Sequence, residues 1–192
     1  VSEEVQLTVV QPVVILDEPK STTQLLCQAL KLSAVASGSE PLKYEWYKDG
    51  QLIAESNDRL LDIETLGYEN AGTYKVRISN EAGYVTSTDA VVTVHEPITI
   101  IGQPMEARVI EGGEVIFQVE AKGTAPINYE WRFNGDAING ADDPEYKIIN
   151  ATIENIGSYQ VIMTNPVGVA ISKEVKLSVV RPVDIIEEPE GV

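Results

Sequence analysis

Residues 61–76, LDIETLGYENAGTYKV, decide the fold, because the same pattern returns further along the chain as residues 146–161, YKIINATIENIGSYQV. In both stretches, apolar residues alternate with polar ones and predict a strand, which ends in a turn and continues into a second strand. The residues that close the turn are Asn70 and Gly72 in the first copy, and Asn155 and Gly157 in the second. A strand, a tight turn and another strand predict a corner between two sheets.

A tyrosine follows each corner glycine, and a tryptophan lies upstream in an alternating run. A tyrosine at this place can bury its ring while its hydroxyl bonds back to the backbone of the turn. The two tryptophans are separated by the same spacing as the two corners, so we interpret the chain as two copies of one module. The predicted core residues are Trp46, Tyr74, Val76 and Ala34 in the first copy, and Trp131, Tyr159, Val161 and Val119 in the second.

The spacing of the repeat also predicts the domain boundaries. We predict one module at residues 11–95 and another at residues 96–181. Residues 1–10 should be the last strand of a preceding module, and residues 182–192 the first strand of a following one. Pro12, Pro97 and Pro182 recur at the same spacing and mark the predicted seams. Because no glycine- or serine-rich linker separates the copies, we expect a stiff array.

No stretch of the chain shows a sustained helical period, so the predicted fold class is all-β, with seven to eight strands per module. In the second copy we predict strands at residues 115–119 (B), 127–133 (C), 146–149 (E), 158–164 (F) and 170–180 (G). The hairpin signals Asp49-Gly50 and Asn134-Gly135 predict a short additional strand (C′) near Ile53 and Ile138.

The net charge of −16 argues against nucleic acid or an anionic membrane as a partner, because both would repel the chain. No apolar run reaches the length of about 18 residues that a membrane span needs, so we expect no direct membrane insertion. The single cysteine, Cys27, excludes an intrachain disulfide and a cysteine-rich zinc site. Cysteine usage therefore favours an intracellular protein or an exported bacterial one.

The sequence offers little catalytic chemistry, and we predict no catalytic, cofactor-binding or metal-binding residues. A serine or cysteine nucleophile needs a base beside it, and the only histidine, His95, lies at the predicted seam. We interpret His95 as a linker residue, with a pH-sensitive hinge as the alternative. Cys27 is interpreted as a semi-buried small side chain, with a contact patch or an interchain thiol as the alternatives.

Calcium at the seams is the one cofactor hypothesis. Acidic residues cluster there at Asp17, Glu18 and, in the tail, Asp184, and calcium prefers oxygen ligands. Gly102 and Gln103 stand at the matching positions of the middle seam and break this pattern. We therefore predict no cofactor.

The run from WYKDG (46–50) through NAGTY (70–74) and SNEAG (79–83) to VTV (92–94) resembles the intermediate-set immunoglobulin-like domain. More narrowly, the whole chain resembles the tandem repeats of large bacterial surface proteins. The resemblance implies Greek-key β-sandwiches. Where that family often has a disulfide between strands B and F, this sequence has Ala34 and Val76, or Val119 and Val161, so apolar packing replaces the bridge.

The resemblance implies a non-catalytic structural or adhesive segment of an extended bacterial surface protein or extracellular fibre, acting as a rigid stalk or an adhesive array at the cell surface. Its implied partners are neighbouring repeats of the same chain or fibre, and a cell-surface protein or glycan. Two alternatives stay open. One is an intracellular scaffold that resembles the giant muscle proteins. The other is a carbohydrate-binding module of a secreted enzyme, with Tyr47, Tyr68 and Tyr84 as its aromatic platform.

Overall fold

In the computed structural model, the chain divides into two compact units, Val1–His95 and Glu96–Val192. The structure describes residues 7–56 and 58–182. Most of the two predicted flanking strands, at residues 1–6 and 183–192, lies outside the described residues. Residues 7–10, which were predicted to continue the first of them, form no strand.

Each unit contains ten strands within this described part of the chain. The strands of the first unit are β1 (Val14–Asp17), β2 (Thr22–Leu25), β3 (Leu30–Ser33), β4 (Val35–Ser37), β5 (Lys43–Lys48), β6 (Gln51–Ser56), β7 (Leu60–Ile63), β8 (Gly72–Asn80), β9 (Gly83–Thr86) and β10 (Ala90–His95). The strands of the second unit are β11 (Thr99–Gly102), β12 (Ala107–Ile110), β13 (Val115–Gln118), β14 (Glu120–Lys122), β15 (Asn128–Phe133), β16 (Asp136–Ala137), β17 (Glu145–Ile148), β18 (Gly157–Asn165), β19 (Gly168–Ile171) and β20 (Val175–Val180).

Two layers make up each unit. In the first unit, the larger sheet has the order β2-β10-β8-β5-β6, and β9 pairs with the end of β8. Strand β2 runs parallel to β10, and the other pairs in this sheet are antiparallel. The opposite layer consists of the ladders β1–β4 and β3–β7. The second unit repeats this arrangement with β12-β20-β18-β15-β16, β19 on β18, and the ladders β11–β14 and β13–β17. The predicted all-β sandwich is confirmed.

Alternating side chains of both layers form one core per unit. The second core contains an aromatic group whose neighbouring ring centroids lie 4.7 to 6.2 Å apart. Its members are Phe117, Trp131, Phe133, Tyr146 and Tyr159. Leucine and lysine stand at three of the matching positions of the first unit, Leu32, Lys48 and Leu61. The two units therefore share a fold but fill it with different side chains.

The prediction of strand G as one strand at residues 170–180 is wrong, because the structure interrupts it between β19 and β20. Within the gap, the Ser172 hydroxyl acts as the acceptor that a backbone carbonyl would supply in a continuous strand. Its Oγ accepts a hydrogen bond from the Val161 amide at 3.0 Å and donates one to the Lys173 carbonyl at 2.9 Å. The predicted C′ strands near Ile53 and Ile138 are present as β6 and β16. Strand β16 ends at Ala137, and the Ile138 amide donates to the Trp131 carbonyl.

Candidate interaction surface

The two corners position the first residues of β8 and β18. A single 3₁₀ turn, Tyr68–Asn70 or Ile153–Asn155, precedes each strand. The Tyr74 hydroxyl donates to the Asn70 carbonyl at 2.8 Å, and the Tyr159 hydroxyl donates to the Asn155 carbonyl at 2.9 Å. Burial, and secondarily the neighbouring Tyr146, raises the pKa of Tyr159 to about 12. The hydroxyl therefore keeps its proton, and this hydrogen bond, at neutral pH.

The corner asparagines act through their side chains as well as their carbonyls. Asn70 Oδ1 accepts a hydrogen bond from the Gly67 amide at 2.7 Å, and Asn155 Oδ1 accepts one from the Thr152 amide at 2.8 Å. Gly72 has a φ of +152°, which side-chain-bearing residues rarely adopt, and a Cβ there would displace the Asp49 carboxylate, whose oxygen would lie 2.6 Å away. Asparagine and glycine thus close the turn that delivers each tyrosine to the core.

The eight predicted core residues are all buried, with at most 3% of each exposed: Trp46, Tyr74, Val76 and Ala34, and Trp131, Tyr159, Val161 and Val119. The two tryptophans differ in one respect. Trp131 Nε1 donates to the Asp143 carbonyl at 3.0 Å, whereas Trp46 Nε1 is buried without an acceptor among the described residues.

Ser87 and Ser172 are buried polar residues that the sequence analysis missed. Ser87 Oγ accepts a hydrogen bond from the Val76 amide at 2.9 Å and donates one to the Thr88 carbonyl at 2.9 Å, as Ser172 does in the second unit. Their identity at the spacing of the repeat was a signal that could have found them. Each serine therefore fixes the break between the two last strands of its unit.

The outer face of the larger sheet, which points away from the core, carries a charged group in the first unit. Glu45 lies opposite Arg77 across β5 and β8, and its Oε2 accepts a hydrogen bond from Arg77 Nε at 2.6 Å. The Arg77 guanidinium also lies 5.1 Å from the centre of the exposed Tyr84 ring. Although Glu45 faces outward, it is only 7% exposed.

On the same face of the second unit, apolar side chains of β18 and β19 lie beside the exposed Glu130–Arg132 ion pair. Ile162, Val169 and Ile171 stand where the first unit has Arg77, Tyr84 and Thr86. Val169 is 64% exposed and Ile171 is 54% exposed. The cores and corners of the two units are alike, but their outer faces offer partners different chemistry. We therefore take these faces as the candidate interaction surface.

Glu45 should make the stability of the first unit depend on pH. The hydrogen bond from Arg77 lowers the pKa of Glu45 and outweighs burial, which raises it, while Lys43 lowers it further. Because the folded carboxyl binds its proton more weakly than the unfolded one, the pair stabilises the unit above the unfolded pKa, and this stabilisation is lost as the pH falls through the folded pKa. Thermal melts should therefore show Glu45→Gln lowering the melting temperature of the first unit at about pH 7 but not at about pH 2.

The matched control is Glu130→Gln at the same position of the second unit. The Glu130 carboxylate pairs with Arg132 at 2.7 Å but is about half exposed, and exposed pairs contribute little to stability. This variant should melt like the unmodified chain at both pH values. A Glu45→Gln effect of equal size at both pH values would contradict the assigned ion pair.

The three tyrosines proposed as a carbohydrate platform do not lie together. Tyr68 belongs to the corner turn before β8, whereas Tyr84 lies opposite Ser79 near the far end of that strand. Along β8, seven residues separate the end next to Tyr68 from the position opposite Tyr84, which corresponds to about 23 Å. Tyr47 is half-buried, and its hydroxyl donates to Glu45 at 3.4 Å. The three tyrosines therefore do not form one platform, although Tyr47 and Tyr84 both contact the Glu45–Arg77 pair.

Cys27 and His95 lie near each other in the chain's fold, because the Leu26 amide donates to the His95 carbonyl at 2.7 Å. Cys27 occupies a turn with φ of +66° and is exposed, so its interpretation as a semi-buried side chain is wrong. His95 Nδ1 is buried and has no hydrogen-bond partner among the described residues.

Pro12, Pro97 and Pro182 are all exposed, and none lies in a strand. In residues 7–56 and 58–182, no group of three or more histidine, cysteine, aspartate or glutamate residues could hold a metal ion. Nor does any helix in that part of the chain have the length and apolar character to cross a membrane.

The sandwich with its tyrosine corner has counterparts among known proteins. The model of the immunoglobulin I-set domain matches residues 13–94. Drosophila OTK, extracellular domains 3–5, superposes with a TM-score of 0.63 at 19% identity, over 88% of this chain and 62% of that one. The N-terminal four Ig domains of Dscam1 isoform 6.9 superpose with a TM-score of 0.72 at 22% identity, over 91% of this chain and 47% of that one. The chain therefore has the fold of immunoglobulin-like domains in tandem.

Two curated relatives match both immunoglobulin-like units at once. The muscle M-line assembly protein unc-89 of Caenorhabditis elegans is 28% identical over 165 residues, 74% of this chain and 2% of that protein. Hemicentin-1 of Mus musculus is 28% identical over 205 residues, 98% of this chain and 4% of that protein. The chain thus spans a small fraction of these relatives, both of which are animal proteins.

Proposed function

We propose that this chain is a non-catalytic structural and adhesive segment, in which immunoglobulin-like units act as a rigid stalk and present their outer faces to partners. The single observation that carries the structural part is the way the chain is fastened on both sides of the unit boundary. Within the first unit, the His95 carbonyl accepts a hydrogen bond from the Leu26 amide at 2.7 Å. Within the second, the Glu96 amide donates to Thr124 Oγ1 at 2.7 Å.

Further bonds within the second unit hold Glu96. Its carbonyl accepts hydrogen bonds from the Thr124 amide and from Asn165 Nδ2, both at 3.0 Å. Pro97 follows directly, and its ring restricts the backbone angle φ to a narrow range. Consecutive residues are therefore anchored in different units, with no free residue between them. A junction of this kind supports a stiff connection, whereas a flexible one needs several unanchored residues.

The proposed partners are neighbouring repeats of the same chain or fibre, and a cell-surface protein or glycan. An extracellular location at the cell surface is supported by the likeness to the extracellular domains of OTK. A bacterial origin, which the sequence analysis expected, has no support from the animal relatives and is not part of the proposal. The acidic surface, with a net charge of −16, favours uncharged or basic partners.

A second candidate is an intracellular scaffold. It is favoured by the chain's one cysteine, since small extracellular domains usually carry disulfides. The similarity to a muscle M-line assembly protein points the same way. Both candidates require a stiff and non-catalytic tandem, and the experiment below tests that common requirement.

The stiffness can be measured as a distribution of distances between two spin labels, one on each unit. Thr23 and Arg108 are exposed and occupy equivalent positions, so each can be changed to cysteine in a Cys27→Ser background. We expect a narrow distribution in pulsed electron resonance. Four residues, Gly-Ser-Gly-Ser, inserted between His95 and Glu96 should broaden it. As the control, the same insertion after Gly140, in an exposed loop of the second unit, should leave it narrow.

A further inference from the structure

The second unit has a sheet edge that is open at β19. Strand β20 pairs with β12 on one side and β18 on the other, whereas β19 pairs only with β18 in the described part of the chain. The Ser172 amide donates to the Val161 carbonyl at 3.0 Å, which marks a hydrogen-bonded pair. Because such pairs alternate along an antiparallel ladder, the amides and carbonyls of Val169 and Ile171 point away from β18. They face the open edge.

The side chains beside this edge form an apolar row on the outer face. Ile171 lies opposite Ile162, and Val169 lies opposite Thr164. Both edge side chains are more than half exposed. The edge therefore combines unpaired backbone groups with an apolar surface, which is the combination that promotes pairing with another strand.

Charge separates this edge from the rest of the molecule. The segment 155–172, which includes β18 and β19, contains no aspartate, glutamate, lysine or arginine, although 23% of the chain is charged. The equivalent segment 70–87 of the first unit contains Lys75, Arg77 and Glu81. Proteins commonly protect open edges with charged side chains. In the first unit these charges lie on β8 and in the turn before the edge strand β9, whereas the equivalent segment of the second unit has none.

We propose that β19 is a docking edge for a second copy of this chain. The two β19 strands pair antiparallel around a two-fold axis, so that Val169 of one copy lies opposite Ile171 of the other. About four backbone hydrogen bonds form, since each pair with outward-pointing groups exchanges two. The larger sheets of the two copies then become one continuous sheet across the axis. The contact is isologous, since both copies use the same strand.

The apolar row also becomes continuous in this arrangement. Across the axis, Ile162 and Ile171 of one copy meet Val169 and Thr164 of the other. A charged partner segment would lose hydration on this row. The nearest charges, those of Arg132 and of Glu130 opposite Ile162, are already paired with each other. A second copy brings an edge of the same length, with matching uncharged side chains, so it fits the surface better.

The association should be weak and should strengthen with salt. A contact between two four-residue strands buries less than about 1,200 Å², the range of transient interfaces, so we expect a dissociation constant above about 1 μM. The acidic bodies of the two copies repel each other, and salt screens that repulsion. This contact goes beyond the structural role proposed above and does not depend on the stiffness of the junction.

Sedimentation equilibrium of the 192-residue chain, up to about 1 mM and with a reductant because Cys27 is exposed, tests the proposal. We expect monomer and dimer in equilibrium, with tighter association at about 0.5 M than at about 0.05 M salt. Ile171→Lys should weaken the dimer at least about tenfold, because a charge then lies in the apolar row. The matched control Thr86→Lys, at the same position of the first unit, should leave the dimer unchanged.

Circular dichroism would show whether Ile171→Lys folds. If it does not, the double variant Val169→Tyr with Ile171→Thr replaces it as the test of the β19 contact. This variant carries the residues that the first unit has at the equivalent positions. It should weaken the dimer as well. A chain that stays monomeric at about 1 mM would overturn the proposal. So would a dimer that weakens with salt, or one that the folded β19 variants leave unchanged.

Discussion

Replacing Trp131 with alanine should lower the free energy of unfolding of the second unit by about 3 to 5 kcal/mol, the usual cost of removing a large buried aromatic side chain. Trp131 is fully buried and packs beside Phe117 and Tyr146, with ring centroids 6.2 Å away in each case. The variant also leaves the Asp143 carbonyl without its hydrogen-bond donor. Differential scanning calorimetry should show one transition displaced to lower temperature and the other unchanged.

The matched variant, Trp46→Ala, should have the same effect on the first unit alone. The two cores are separate clusters of residues, so each tryptophan stabilises only its own unit. If either variant lowered both transitions together, the units would not fold independently. If Trp131→Ala left both transitions in place, the ring would contribute nothing to a core.

Replacing Ser172 with alanine should cost about 1 to 3 kcal/mol in the second unit, because the buried Val161 amide then has no acceptor. The change removes a single oxygen atom, so this large effect follows from the unpaired backbone group rather than from lost packing. Ser87→Ala should have a similar effect in the first unit through the Val76 amide. Chemical denaturation of each variant measures the cost.

Lys173→Ala is the control for this prediction. It changes the residue next to Ser172 but keeps the backbone carbonyl that accepts the Ser172 hydroxyl and the amide that donates to Gln103 Oε1 at 2.8 Å. Its unfolding free energy should match that of the unmodified chain. Equal stability of Ser172→Ala and Lys173→Ala would show that the serine hydroxyl does not hold the strand break.

The repeat made the corners and the core accessible to sequence reasoning. Tyr74 and Tyr159 recur with their glycines at a fixed spacing, and strand alternation assigns Val76 and Val161 to the same side as the tyrosines. Such positions depend on local geometry and on burial, and both leave a pattern in the sequence. For this reason, the all-β sandwich could be predicted without coordinates.

Long-range geometry left no comparable pattern. Alternation alone continues strand G through Ser172, and only the bond to Val161 explains why the strand breaks there. Glu45 and Glu130 are the same residue at equivalent positions, yet one is buried beneath Arg77 and the other is exposed. The open edge at β19 likewise depends on which strands are neighbours, which a sequence does not state.

The stiffness of the junction is the central claim, and the width of the distance distribution between labels at positions 23 and 108 tests it most directly. Anchored bonds at His95 and Glu96 predict a narrow distribution in the unmodified junction, and a clearly broader one after the Gly-Ser-Gly-Ser insertion between these residues. Distributions of equal width in the two chains would contradict a rigid structural segment.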